Sequence, residues 1–347
     1  MAAEQRILIA GPAWVGDMVM AQSLFITLKQ TDPQCAIDVL APGWSLPLLS
    51  RMNEVRRAIE VPIGHGEFGL LKRWHLGRTL RGERYDRAIV LPRSLKAALI
   101  PFFAGAKIRT GYRGELRYAL INDMRELDKS VLTQTVQRFV TLGLPADAPL
   151  PPATPQPQLR SDPLQQQRLI DSLQLDLSQP VIAFMPGAEY GPAKQWPIDY
   201  YGELAKRLTA SGYQVWALGS RKEQAIGETI VQMGGSGVRN LCGQTELVDT
   251  IDLLPLCAAA VSNDSGLMHI AAAVGTPLVA IYGSSTPAYT PPLTARAELL
   301  YRGLDCSPCF KRNCPLGHTR CLQEITPDET WRALNALRES LAEKGAE

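Results

Sequence analysis

Three stretches of the 347-residue chain set reactive side chains beside turn formers. In ILIAGPAWVGDMVM (residues 7–20) an apolar run meets Gly11 and Pro12, and a helical pattern follows with Asp17 in its opening turn. Strand, turn and helix start would aim that carboxylate into the crevice above a sheet, where it can take a proton from a hydroxyl. An aspartate in a first helical turn also gains about 0.3–1 kcal/mol from the helix field, so a structural role explains it too. PGAEYGPAKQWP (186–197) is a Gly/Pro-rich loop with Lys194 shortly before a helix, suited to gripping an anion with backbone N–H groups and one ammonium. Lys194 is otherwise a solvent charge, and Trp196 and Pro197 anchor the helix. In VSNDSGLMHIAAAVGTP (261–277) a strand enters a small-residue helix, putting Asp264, Ser265 and Gly266 where backbone donors lack partners. Ser265 and Gly266 permit close approach by a diphosphate. Asp264 would repel one, and suits orienting the turn or accepting a hydroxyl proton. His269, one turn on, either faces the same ligand or is a buried histidine satisfied by a carbonyl.

A fourth cluster is of another kind. CSPCFKRNCPLGHTRC spaces Cys306, Cys309, Cys314 and Cys321 as C-x2-C-x4-C-x6-C, with His318 inside. A CxxC pair and two later thiols can complete a tetrahedral zinc site, although the later spacing is tighter than in common zinc modules. Reduced structural thiols, or disulfides formed in air, are the alternatives. Cys35, Cys242 and Cys257 read as small core residues.

Together the three loops favour a nucleotide ligand, though not a nicotinamide one. The G-x-G-x-x-G fingerprint, the G-x-x-x-x-G-K-S/T loop and a metal-holding D-x-D pair are all missing. Lys194 and helix donors would then have to neutralise the phosphates in place of a metal.

The elements that must position these residues alternate between strand and helix. Residues 7–9, 36–41 and 87–92 read as strands with helical material between them, the βαβ pattern of a parallel sheet. LPADAPLPPATPQPQ then supplies a proline-rich hinge, and the boundary is expected near residue 160. The pattern restarts with strands at 181–187, 213–220, 258–264 and 278–283, a helix started by Pro197 and ended by Gly212, and another at about 265–274. The expected organisation is therefore α/β: residues 1–160 and 161–325 form two Rossmann-like domains facing a central cleft, and 326–347 form an amphipathic helix and tail. For that helix, Thr326, Pro327 and Glu329 read as a capping box, and Trp331, Leu334, Leu337 and Leu341 as its apolar stripe.

Length and the 46% apolar content suit two cores. Residues 1–150 hold 20 Lys/Arg against 14 Asp/Glu, while the remainder is net acidic, so the first half suits an anionic partner or is an ordinary soluble surface. No apolar run reaches membrane-span length and MAAEQ is not a signal leader, so a cytoplasmic protein is expected, with visits to a membrane surface allowed.

At these residues the chain resembles the lipopolysaccharide heptosyltransferases, glycosyltransferase family 9. The resemblance rests on GPAWVGDMVM with AQSL at 11–24, LAPGWSLPLLSRM at 40–52, PFFAGAKIRTGYRGELRY at 101–118, PGAEYGPAKQWP at 186–197 and SNDSGLMHIAAAVGTPLVAIYG at 262–283. It implies an inverting, metal-independent GT-B enzyme that moves L-glycero-D-manno-heptose from ADP-heptose to the first heptose of the lipopolysaccharide inner core. It also implies Asp17 as general base, Lys194 as diphosphate ligand, Asp264, Ser265, Gly266 and His269 at the nucleotide sugar, and Glu223 at the ribose. The implied partners are ADP-heptose, a heptosyl-Kdo2-lipid A acceptor and, transiently, the inner-membrane surface, with no nucleic acid. No cofactor is required by this chemistry, and zinc at the cysteines would be structural. Arg93, Lys96, Arg109, Arg113 and Arg117 become candidates for anionic Kdo or core phosphates, Arg113 and Arg117 sharing a face if their segment is helical. The competing readings are a heptosyltransferase acting on Kdo2-lipid A and a noncatalytic sugar-nucleotide or lipopolysaccharide binder; a nicotinamide dehydrogenase fits less well.

Overall fold

The computed structural model describes residues 4–64 and 66–344, with side chains described through Ser340. The chain divides into two compact units, Met1–Pro157 and Gln158–Glu347. Each is built on a six-stranded, wholly parallel sheet.

In the first unit the strands are β1 (Arg6–Ala10), β2 (Ala36–Ala41), β3 (Val55–Glu60), β4 (Arg87–Val90), β5 (Ile108–Tyr112) and β6 (Asp123–Arg125), ordered β3-β2-β1-β4-β5-β6. In the second they are β7 (Val181–Met185), β8 (Gln214–Ala217), β9 (Val238–Asn240), β10 (Ala259–Asn263), β11 (Leu278–Tyr282) and β12 (Ala297–Tyr301), ordered β12-β11-β10-β7-β8-β9. Read outward from the first strand of each unit, the two orders are the same. Both are the doubly wound arrangement, whose connections reverse direction between the first strand and the fourth. That reversal opens a crevice at the carboxyl ends of β1 and β4 in one unit, and of β7 and β10 in the other.

Burial explains which strands form the centre. Ile7, Leu8 and Ile9 of β1, all of β2, and all of β7, β10 and β11 are buried, as a strand covered by helices on both faces requires. The outer strands β3, β6, β9 and β12 are half-covered and mix charged residues into the run, which is why their sequences carry no apolar signal. In the second unit Ile182, Phe184, Val215, Val261 and Ile281 meet Tyr201, Leu204 and Leu208 from the helix Ile198–Ala210.

The helix Pro327–Lys344 packs onto this same core through Leu334 and Leu337, with Trp331 at its edge. The side chain of Leu341 lies outside the described residues. The capping box expected at its start is only half formed. Thr326 Oγ1 accepts the Glu329 N–H at 3.3 Å, but the Glu329 carboxylate takes the Arg302 guanidinium, with one contact at 2.9 Å. A guanidinium pairing both carboxylate oxygens is the stronger, charge-assisted partner. Among the described residues no helix is long and apolar enough to cross a membrane.

Candidate active site

At the crevice of the first unit, β1 runs through Gly11–Trp14 into the helix Val15–Thr31. Gly11 donates its N–H to the Leu40 carbonyl at 2.9 Å, and a Cβ there would stand 2.7 Å from the Met18 side chain and 3.0 Å from that oxygen. The small residue lets the chain pass close to the Leu40 carbonyl, and the turn brings Asp17 into the first helical turn, half-buried. Two indoles missed at the sequence level, Trp14 and Trp44, stand exposed after β1 and β2. Their only signal was a tryptophan inside a Gly/Pro loop.

The crevice of the second unit gathers most of the remaining candidates. The loop after β7 carries Lys194, whose Nζ lies 2.5 Å from Oδ2 of Asp264, the residue after β10. Both side chains are largely buried, and the Ser285 hydroxyl donates to the same carboxylate oxygen. Asp264 accepts from an ammonium and a hydroxyl, which satisfy a charge that burial would otherwise penalise and orient the turn that carries it. Asn263 ties the two loops together. Its side-chain amide donates to the Pro186 carbonyl at 2.8 Å, and its Oδ1 accepts the Trp196 N–H at 3.0 Å and the Tyr201 hydroxyl at 3.2 Å. Lys194 also stands 5.2 Å from the Tyr190 ring centroid, within cation–π range.

Ser265 is the N-cap of the helix Gly266–Ala273 but makes no side-chain cap, so the hydroxyl and the first N–H groups sit half-buried at the crevice. Glu223, after β8, accepts the Ser220 N–H at 2.8 Å and its hydroxyl at 2.6 Å. It also abuts Gly187, where a Cβ would be 3.1 Å from its carboxyl carbon. Glu223 therefore stands beside the Lys194 loop while capping its own. His269 is buried; burial pushes its imidazole down to about 4, the Lys194 charge adds to that and Asp264 partly offsets it. At neutral pH the ring is uncharged.

The cysteine segment braces the Lys194 loop. The Ala193 N–H donates to the Arg312 carbonyl at 3.0 Å, the Ser284 N–H to the Ala193 carbonyl at 3.2 Å, and the Phe310 N–H to the Ser284 carbonyl at 2.7 Å. A Cβ on Gly191 would come within 2.6 Å of the Arg312 oxygen, so glycine is what permits this approach. Cys306, Cys309, Cys314, Cys321 and His318 line a cavity of about 20 Å³ together with Ala193 and Ser284. All four are free thiols, and among the described residues no group of three or more His, Cys, Asp or Glu is arranged to hold a metal ion. The shared cavity is thus not a formed ligand set. Cys35, Cys242 and Cys257 are buried, and burial pushes the Cys242 thiol up to about 12.

Two of the basic candidates in the first unit turn inward. Arg117 is buried and donates to the carbonyls of Pro92 at 2.7 Å and Tyr112 at 2.5 Å, and its segment is turn rather than helix. Arg109 donates to the carbonyls of Leu120 and Ala106. Unpaired carbonyls where strands turn away need such donors, and a guanidinium serves several at once. Arg93 and Arg113 are exposed, and Lys96 is half-buried.

Two doubly wound units, one bearing a crevice carboxylate and the other a lysine beside a helix N-terminus, have the makings of a sugar-nucleotide transferase. The chain belongs to glycosyltransferase family 9 (heptosyltransferase), whose model matches residues 73–320. It is 46% identical over 349 residues to lipopolysaccharide heptosyltransferase 2 of Salmonella typhimurium, covering 98% of this chain and 99% of that one. The solved structure of E. coli ADP-heptose lps heptosyltransferase II matches with a TM-score of 0.84 and 42% identity, over 97% of this chain and 99% of that one. A family 9 glycosyl transferase from Veillonella parvula, 18% identical, shares the fold at a TM-score of 0.86 over 98% of this chain and 99% of that one. The fold is accordingly GT-B, with two Rossmann-like α/β domains.

Breaking the buried pair should be costly. Lys194→Met, which strands the Asp264 carboxylate, should lower the unfolding free energy by about 3–5 kcal/mol, and adding Asp264→Asn should recover part of it. Urea unfolding of the two single variants and the double variant measures this coupling, and strict additivity would remove the pair's structural role. His269 gives a pH signature. Its folded value of about 4 lies below the ordinary 6.5, so the unfolded chain binds the proton first as pH falls. Stability should be constant above pH 6.5 and decline by about 3 kcal/mol between pH 6.5 and 4 from this group. Thermal midpoints across that range should fall less steeply for His269→Gln than for the wild type.

Proposed function

We propose that this chain transfers L-glycero-D-manno-heptose from ADP-heptose onto the first heptose of the lipopolysaccharide inner core, inverting the anomeric centre and using no metal. The observation that carries the reading is the pairing of Lys194 with the turn Asp264–Gly266 at one switch-point crevice, with Glu223 against Gly187 of the Lys194 loop. That crevice offers fixed positive charge and N–H groups to a diphosphate, and a carboxylate oxygen to a ribose hydroxyl. The names of the relatives support the same donor and acceptor class.

In the proposed step an acceptor hydroxyl oxygen attacks the anomeric carbon while Asp17 removes its proton, and the bond to ADP breaks on the opposite face. Negative charge grows on the departing diphosphate. Lys194, held in place by Asp264 and Ser285, then stabilises the transition state more than the bound donor, and pays no reorganisation cost at that moment. His269, buried and uncharged, would meet the nucleotide sugar as a neutral hydrogen-bonding ring rather than as a cation. Of the five basic candidates, Arg93, Arg113 and Lys96 stay accessible to an anionic acceptor, which would compete with Glu126 for Arg113. The enzyme is read as cytoplasmic, meeting the inner membrane only while its lipid-linked acceptor is engaged, with no nucleic-acid partner.

A structural zinc on Cys306, Cys309, Cys314 and Cys321 is a separate reading, supported by their shared cavity. It would require the sulfurs to close around one ion. Metal analysis of anaerobically purified protein decides it: one zinc per chain establishes the site, and none leaves reduced thiols packed beneath the donor loop.

The deciding assay offers ADP-heptose with inner-core acceptors bearing no heptose or one, and follows ADP release and product mass. Turnover should need the one-heptose acceptor. Preference for the bare acceptor moves the assignment to the enzyme acting on Kdo2-lipid A, and binding without ADP release to a noncatalytic binder. Asp17→Asn should reduce kcat by about 10²–10⁴-fold with donor affinity retained, whereas Lys194→Ala should weaken donor binding and slow turnover together.

A further inference from the structure

The helix Leu70–Leu80 has two apolar faces, and the protein uses only one. Gly77 and Leu80 turn inward with the guanidinium-bearing Arg73, whose Nε donates to the Phe68 carbonyl at 2.8 Å. The approach to the neighbouring helix Leu95–Phe103 is so close that a Cβ on Gly77 would sit 2.4 Å from that of Phe103. Leu80 belongs to the first unit's core and Leu76 packs against it. Leu70, Leu71 and Trp74 lie on the other side, joined by Phe68 just before the helix, and all four are exposed, Leu71 to 72%. Four large apolar side chains within seven residues form a patch, which is rarer than scattered exposure and marks a surface with a partner.

The charges beside the patch indicate which partner. From residue 67 to 83 the chain carries Lys72, Arg73, Arg78 and Arg81 against Glu67 and Glu83; Glu67 pairs with Lys72 at 3.0 Å and Arg73 is buried, so the positive charge is net and is borne chiefly by Arg78 and Arg81. The Arg78 guanidinium lies over the Trp74 ring, 5.4 Å from its centroid, within cation–π range, so a positive charge stands against the indole of the patch. Tryptophan and leucine flanked by arginine and lysine is the composition that lies at the boundary between headgroups and acyl chains of an anionic bilayer. Topology adds a reason for the location. β3 leaves its sheet at the carboxyl edge, so the helix that follows begins on the edge of the first unit that carries Asp17.

We propose that the turn at Phe68 and the helix Leu70–Leu80 dock this protein on an anionic phospholipid surface, with Leu71 and Trp74 entering the interface and Arg78 and Arg81 at the phosphate level. The inference rests on the reading of a lipid-linked acceptor, since docking by this edge would keep the Asp17 crevice next to the membrane that holds it.

The test uses the full chain and vesicles free of any acceptor, either phosphatidylethanolamine with phosphatidylglycerol or phosphatidylcholine alone. The wild type should co-sediment with the anionic vesicles at least about tenfold more strongly than with the zwitterionic ones, and raised salt should weaken that binding. Leu71→Glu with Trp74→Glu, and separately Arg78→Glu, should each lower vesicle binding about tenfold while thermal midpoints stay near the wild-type value. Equal binding to both vesicle types, or variants that bind as the wild type does, would overturn the proposal. So would sedimentation showing that the same substitutions dissociate a dimer, because a second copy would then cover the patch. Turnover on a water-soluble, delipidated acceptor is measured in parallel and should be unchanged in both variants. Failure of that turnover in the wild type would remove the transferase reading without altering the vesicle result.

Discussion

A lysine and an aspartate seventy residues apart in sequence share one partly buried hydrogen bond, and the second unit's crevice is organised around it. Lys194 and Asp264 each arrive on a loop that leaves a different strand, β7 and β10. Neither charge is tolerable alone at that depth, so the two loops cannot separate without exposing or neutralising one of them. Asn263 reinforces the constraint from below, since one amide satisfies three partners on the loop and helix that carry Lys194. The result is an ammonium whose position is set before any ligand arrives. Preorganisation of that kind is what makes an electrostatic contribution useful in a reaction that separates charge.

The two units solve the same problem with opposite signs. Each places its reactive group just beyond its first strand, where the winding of the sheet reverses: Asp17 after β1 and Lys194 after β7. In the first, a short turn delivers a carboxylate to a helix start. In the second, a longer loop delivers an ammonium, and the N-terminus of the helix after the neighbouring strand is left open. Helix starts suit anions, so Asp17 is stabilised where it stands, and the open donors near Ser265 suit an anion brought from outside.

Much of this was legible in the sequence because central parallel strands are buried on both faces and read as short apolar runs ended by turn residues. The seven strands found that way include every strand that borders a crevice. The strands that escaped notice are the four outer ones and β5, whose IRTGY mixes an arginine, a threonine and a glycine into a short run. VRRAIE at 55–60 alternates with charge, and three-residue strands such as Asp123–Arg125 have no periodicity to detect. Partnerships across long sequence distance were illegible for a different reason. Nothing local in SNDSG says that Asp264 is taken by Lys194 and Ser285, or that Arg117 is spent on backbone carbonyls. Nor does a TPDE helix start reveal that Arg302 will compete for Glu329 and win. Composition reports which groups want partners, and only the fold decides which partner is within reach.

The closing helix carries a consequence for the order in which the molecule assembles. The described core cluster of the first unit runs from Leu8 to Ile121, before the proline-rich stretch, so those residues have left the ribosome while the rest is still being made. The second core is different: its strands begin at Val181, yet Leu334 and Leu337 are required to cover them. Folding during synthesis is therefore sequential, with the first unit's core complete while the second stays open on one side until Leu334 and Leu337 have emerged.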